Sequence, residues 1–231
     1  IDHSEFVEAV TELQEVRAGE SAIKSLRHIV GQYTQQEQPA RIVIACRALA
    51  NAQLKRGDVP GALSALGRAL KTALESKLDV ADDLRNEILR RAGADRLVDL
   101  SGSKSLIGLD DERDLRFVKL RPLSKGSAGD SVLALAVTDG EQVSLRTLDL
   151  SSLGEKQREA ALASERRAYA SIATLHDARI AKIRDMRLAP DGMLYTLQLR
   201  PEGRTLRDLY TAGTEPARMI SFLAKTAGTL G

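Results

Sequence analysis

Apolar residues follow two different periods along this chain, and the change of period divides it. From Ser4 to about Leu100 they recur at helical spacing and nothing reads as a strand. Ser4 is placed to cap a helix carrying Phe6, Val7, Val10, Leu13 and Val16, which Ala18-Gly19-Glu20-Ser21 breaks. Ala22, Ile23, Leu26, Ile29 and Val30 form the next stripe, and Pro39 opens a third helix with Ile42, Val43, Ala45, Cys46, Leu49 and Leu54. Gly57-Asp58 ends that helix, and Pro60 falls in the first turn of a fourth, where a missing backbone N–H does no harm. A fifth helix is expected from about Val80 through Leu84, Ile88 and Leu89.

Ser101-Gly102-Ser103-Lys104-Ser105 and Asp110-Asp111-Glu112-Arg113-Asp114 are polar and rich in turn formers, so residues 101–114 are expected to be a linker. Beyond them the period shortens. Leu115 to Leu123, Ser131 to Val137 and Gln142 to Leu148 read as strands, the last two joined by a two-residue Asp139-Gly140 hairpin turn. Leu153 to Leu175 is helical. Ile180 to Leu188 and Met193 to Leu199 form a second hairpin around Ala189-Pro190-Asp191-Gly192, and Thr205 and Glu215-Pro216 each open a further helix.

The stretch Leu49-Ala50, Gly57-Asp58, Ala62, Leu66, Ala69-Leu70 resembles a tetratricopeptide repeat, with small Ala62 and Ala69 allowing two helices to approach closely. Ala22-Leu26-Ile29 echoes it about 40 residues earlier, against the usual ~34, and a plain helical bundle also satisfies this pattern. The resemblance implies a protein partner held in a groove lined by Cys46, Leu49, Gln53 and Leu66.

The strand half resembles the small lobe of a protein kinase with the start of its large lobe. Leu123-Ser124-Lys125-Gly126-Ser127-Ala128-Gly129-Asp130-Ser131-Val132 stands where the family keeps its glycine-rich loop, whose bare N–H groups lie over nucleotide phosphates. Gly126 and Gly129 keep two of the glycines, Ser124 replaces the first, and an ordinary hairpin loop explains the same pair. Val143-Ser144-Leu145-Arg146 matches Val-Ala-Ile-Lys, with Arg146 in place of the lysine that bridges the phosphates to a glutamate on the next helix. Counting back from Leu175-His176 makes Glu165 the nearest candidate for that glutamate, although Arg146 as a solvated strand residue and Glu165 as a surface ion-pair partner are the simpler readings. Tyr195 to Leu209, with Glu202-Gly203, resembles the last strand, the hinge and the entry to the next helix. Gln198 falls at the gatekeeper, with Leu199, Arg200 and Pro201 at the hinge.

The resemblance implies an α+β protein: a helical-repeat domain over residues 1–100, a five-stranded antiparallel small lobe with one main helix over 115–203, and the first helices of a large lobe over 204–231. It implies nucleotide contacts at Gly126, Ser127, Gly129, Arg146, Leu199 and Arg200, with ATP and magnesium only in a complete kinase domain. No His-Arg-Asp triplet with its Asn and no Asp-Phe-Gly occurs in the chain, so no phosphoryl transfer is expected from it. The expectation is a regulatory pseudokinase-like module, against an N-terminal piece of an active serine/threonine kinase in which Lys119 or Lys125 replaces the missing lysine, or a scaffold that binds no nucleotide.

Composition adds little. Thirty-four basic and 32 acidic residues are interspersed, and with no Trp, three Phe and four Tyr there is no basic, aromatic face for nucleic acid. Cys46 is the single cysteine, which excludes an internal disulfide and fits a cytoplasmic protein. No apolar run approaches the ~20 residues of a membrane span. There is no Gly-x-Ser-x-Gly elbow, zinc-spaced Cys/His cluster or Walker loop. Starting at Ile1 and stopping within a helical pattern, the chain reads as part of something longer.

Overall fold

A computed structural model describes residues 20–107, 115–126, 129–173 and 182–199, together with Phe6 and Val10. The chain is α+β. Among the described residues four helices come first: α1 (Glu20–Gln35), α2 (Pro39–Lys55), α3 (Val59–Glu75) and α4 (Ala81–Ala92). The helix expected from Ser4 to Val16 lies outside them except for Phe6 and Val10, which are helical and buried. Strands β1 (Leu97–Asp99), β2 (Lys104–Ser105), β3 (Arg116–Ser124), β4 (Asp130–Ala136) and β5 (Gln142–Asp149) follow. Helix α5 (Glu155–Ala173) then precedes β6 (Ile183–Leu188) and β7 (Met193–Leu199). The helices expected around Thr205 and Glu215 lie outside the described residues.

The first three helices end in the same way. Glu37, Gly57 and Lys77, twenty residues apart in sequence, adopt the left-handed conformation just past the helix end. In each turn the N–H of that residue bonds the carbonyl three residues back, and the next N–H bonds the carbonyl five back from itself (Gln38 to Tyr33, Asp58 to Gln53, Leu78 to Ala73). This pair of bonds satisfies carbonyls that a helix end otherwise leaves open. Only the middle turn uses glycine, so the sequence signal is clear at Gly57 and hidden at Glu37 and Lys77. The Asp58 side chain then caps α3 by accepting from the Gly61 N–H at 2.9 Å.

All seven strands form one antiparallel sheet in the order β1-β3-β4-β5-β7-β6-β2. This corrects the expected five. Segments of three and two residues are too short to show alternation, yet β1 pairs with β3 and β2 with β6, so the Ser/Gly-rich run read as a linker belongs in part to the sheet. Because β1 and β2 lie at opposite edges but are joined by only Leu100 to Ser103, those edges must approach within about 18 Å, and the sheet curls into a half-barrel. Val98, Leu100, Phe117, Ala134, Ala136, Val143, Leu145 and Leu197 fill its inside. A buried ion pair fixes the strap: Arg187 bonds Asp185 at 2.7 Å and donates to Ser103 Oγ at 2.9 Å, while Ser105 Oγ donates to Asp185 at 3.0 Å.

The other face of β3 and β4 packs on the helices. Val118, Leu120, Leu133, Leu135 and Val137 share one continuous apolar core with α1 to α4. The closest approach is between α3 and the loop joining β4 to β5. That loop has four residues, Val137 to Gly140, rather than the two expected: the Ala136 N–H bonds Glu141 and the Gly140 N–H bonds Ala136, leaving Asp139-Gly140 at its exit. Gly140 has φ +74°, and a Cβ there would drive into the Gly67 carbonyl and lie 2.9 Å from the Lys71 nitrogen. A Cβ at Gly67 would collide with Leu135 and stand 3.2 Å from the Gly140 carbonyl. The two glycines let backbone lie on backbone.

Gly67→Ala is therefore expected to destabilise the protein by up to about 2 kcal/mol, overpacking of ~1–3 kcal/mol being offset by the ~1 kcal/mol helix-propensity gain. Gly31, inside α1, has nothing within 4 Å of an added Cβ, so Gly31→Ala is expected to raise stability by about 0.5–1 kcal/mol. Urea unfolding of the two variants reads opposite signs; a shift in the same direction removes the Gly67 argument.

Candidate functional site

Strand β5 lies in the middle of the sheet. Its register is unbroken against β4 (Asp130↔Thr147 to Leu135↔Gln142) and against β7 (Val143↔Leu199 to Asp149↔Met193). Arg146 is therefore held between Ser131 and Thr196. Side chains opposite one another on paired strands share a face, so Arg146 points to the same side as Leu133 and Leu135, the side covered by α3. Helix α5 packs on that side too, and the Arg146 guanidinium bonds the Glu165 carboxylate. Their side chains are 30% and 22% exposed, which puts the pair at a half-buried seam between strand and helix.

Helix α5 is reached by a sharp turn. The Asp149 carboxylate accepts from both the N–H and the hydroxyl of Ser151, at 2.8 and 2.6 Å, and these bonds hold its pKa below the usual carboxylate value. No residue of α5 is fully buried. Besides the Arg146–Glu165 pair, Arg158 Nε donates to the Leu150 carbonyl at 3.3 Å. This helix is attached chiefly through polar groups.

Gly129 comes close to Arg146. It has φ +100°, its N–H bonds the Gly126 carbonyl at 3.0 Å, and a Cβ on it would sit 3.5 Å from Arg146 Cγ. Only glycine adopts this conformation freely in such a space. Leu199 ends β7 opposite Val143, and Gln198 pairs with both Ser144 and Ile183. The structure thus brings Gly129, Arg146 and Glu165 together, while Leu199 and Gln198 lie further along the neighbouring strand. Ser127 and Arg200 lie outside the described residues, as do His176 and the segment from Pro201 onward.

The groove residues are not on a surface. Cys46, Leu49, Gln53 and Leu66 are 0%, 8%, 4% and 0% exposed and belong to the helical core, so they cannot line a partner groove. The reason is the position of α2, whose Ile42, Val43, Ala45, Cys46, Ala48, Leu49, Ala50 and Ala52 leave no polar face wide enough to meet solvent. Burial pushes the Cys46 thiol up to about 11, with Arg68 opposing weakly. Among the described residues, no three His, Cys, Asp or Glu side chains are grouped to hold a metal, and no helix is long and apolar enough to cross a membrane.

A second cluster was not anticipated from the sequence. Around the β4–β5 loop, Arg85 of α4 donates twice to the Thr138 carbonyl (2.9 and 3.2 Å), Lys71 of α3 meets Glu141 at 3.2 Å, and Arg184 of β6 meets Asp139 at 2.9 Å and Glu141 at 3.6 Å. The available signal was Gly67, a glycine in the middle of an otherwise strong helix, which marks a close approach. Nearby, Glu87 is buried between Arg47 (2.9 Å) and Arg91 (2.6 Å), tying α4 to α2.

No protein-family model matches the chain, and no characterised protein matches it significantly.

A double-mutant cycle over Arg146→Ala and Glu165→Ala is expected to give a coupling of ~0.5–1 kcal/mol, shrinking in 1 M salt where screening acts over about 3 Å; additive effects would mean the pair contributes nothing. Cys46 offers a second check. Its thiolate is disfavoured in the fold, so stability on this account is complete below the ordinary thiol value of 9.0 and declines as pH rises toward about 11. At pH 8 a thiol reagent is expected to label Cys46 only as fast as the protein opens, and immediate labelling of the native protein would contradict its burial.

Proposed function

We propose that this chain is a regulatory, pseudokinase-like module joined to a helical unit that engages a partner protein, and that it transfers no phosphate. The observation that carries the reading is the Arg146–Glu165 pair beside Gly129. In an active kinase-like site the strand cation is shared between a helix carboxylate and nucleotide phosphates. An arginine keeps the charge, but its bulkier, planar fork directs its donors differently from a lysine ammonium, and here it is engaged by the Glu165 carboxylate. With Ser124 in the glycine loop, the cation is left to fasten α5 to the sheet. Apart from the short β1 and β2, the order of elements supports the same reading: strands β3, β4 and β5, a helix, then β6 and β7, with β5 central. A cytosolic setting fits the single buried cysteine.

A scaffold reading draws on a different observation, the apolar core that runs without a break from the helices into β3 and β4. In that case the sheet serves to hold the helices, and no nucleotide binds at all. Any partner surface lies away from Cys46 to Leu66, on the outward sides of the helices. The reading as an N-terminal piece of an active kinase requires a lysine from elsewhere to take the place of Arg146.

Calorimetry with Mg-ATP tests these readings. The wild-type protein is expected to show no saturation within the ~1 μM–1 mM range of ordinary enzyme–substrate affinities, while Arg146→Lys is expected to gain measurable binding if the module is a degenerate nucleotide site. Absence of binding in both proteins favours the scaffold, and tight binding by the wild type sinks the degenerate reading.

A further inference from the structure

The β4–β5 loop touches more parts of the molecule than its four residues would suggest. Its Thr138 carbonyl is held by Arg85 of α4, and its Gly140 lies on the backbone of α3 at Gly67 and Lys71. Asp139 is held by Arg184 of β6, and Glu141, the next residue, by Lys71 and Arg184. Strand β5 leaves this loop directly. Among the described strands it is the one paired on both sides without a register shift, whereas the pairings β3–β4 and β6–β7 carry shifts. Arg146 sits toward its far end, and Glu165 of α5 is fastened there.

We infer that the loop is a latch through which the α1–α4 layer controls the seating of α5. At Gly140 the close contacts are to the backbone of α3, the Gly67 carbonyl and the Lys71 nitrogen, which cannot swing aside as a side chain can, so movement of α3 passes to the start of β5. An unbulged strand paired on both sides carries that shift to Arg146 as a unit. Helix α5, with no fully buried residue, has little apolar contact to hold it when its clasp is strained. Any displacement of α3 or α4 then acts on α5, which need not be touched directly. The inference rests on the contacts alone and holds whether or not nucleotide binds.

Two side chains are partly exposed and removable without opening the core, Lys71 and Arg85. Hydrogen exchange in the Lys71→Ala, Arg85→Ala double variant is expected to speed the α5 amides by about tenfold, as Arg146→Ala does from the other end, with α1 and α2 unchanged. Unchanged α5 exchange in the double variant overturns the inference. So does equal acceleration throughout the chain, which is a plain loss of global stability, and so does an Arg146→Ala protein whose α5 is unaffected. Failure of Mg-ATP to bind leaves this result untouched, so the two proposals fail separately.

Discussion

Backbone meeting backbone at Gly67 and Gly140 is the constraint on which the arrangement of this molecule depends. A side chain at Gly140 would drive into the backbone of α3, and one at Gly67 would displace Leu135 in the apolar seam it forms with Val118, Leu120, Leu133 and Val137. With the seam closed, the charged groups around the loop fall within reach of one another. Arg85, Lys71 and Arg184 are partly exposed, and each of their bonds alone is worth little. Their effect comes from converging on a loop already pinned by packing.

That loop also sets the geometry of the candidate site. Gly140 fixes where β5 begins, and unbroken pairing on both sides fixes where Arg146 stands. The Asp149–Ser151 turn then directs α5 back across the same face, which brings Glu165 to the guanidinium. The Arg146–Glu165 pair is thus the end of a chain of constraints that starts between two glycines. Its chemistry is that of a clasp, with a carboxylate and a guanidinium shielded on one side by sheet and on the other by helix.

The helices were legible because apolar residues recur at helical spacing over several turns. The five longer strands were legible because apolar, β-prone runs are bounded by turn residues, with moderate alternation in Leu115 to Leu123 and an unbroken apolar run in β4. The strap was not. Leu97–Asp99 and Lys104–Ser105 pair with residues far along the chain, and their Ser/Gly composition reads locally as a linker. At the site, resemblance picked out Arg146 and Glu165 before their contact was known. It misjudged Cys46 and Gln53, because a repeat pattern says which residues face the neighbouring helix but not that a sheet and further helices enclose them. The near-continuous apolar run from Ile42 to Ala52 carried that information: a helix with no polar face has no side left for a partner.

The strap has a kinetic consequence. Strand β2 and Ser105 wait for β6 and Asp185, some eighty positions later in the chain, while the helices close through contacts between neighbours. During synthesis the helical layer is complete long before the half-barrel can shut, and one edge of the nascent sheet stays open until the last strand emerges. Closure of so long a loop is slow and entropically costly. The seating of some of the earliest β residues made therefore waits on β6, and until it happens the inside of the sheet is open to water and to other chains.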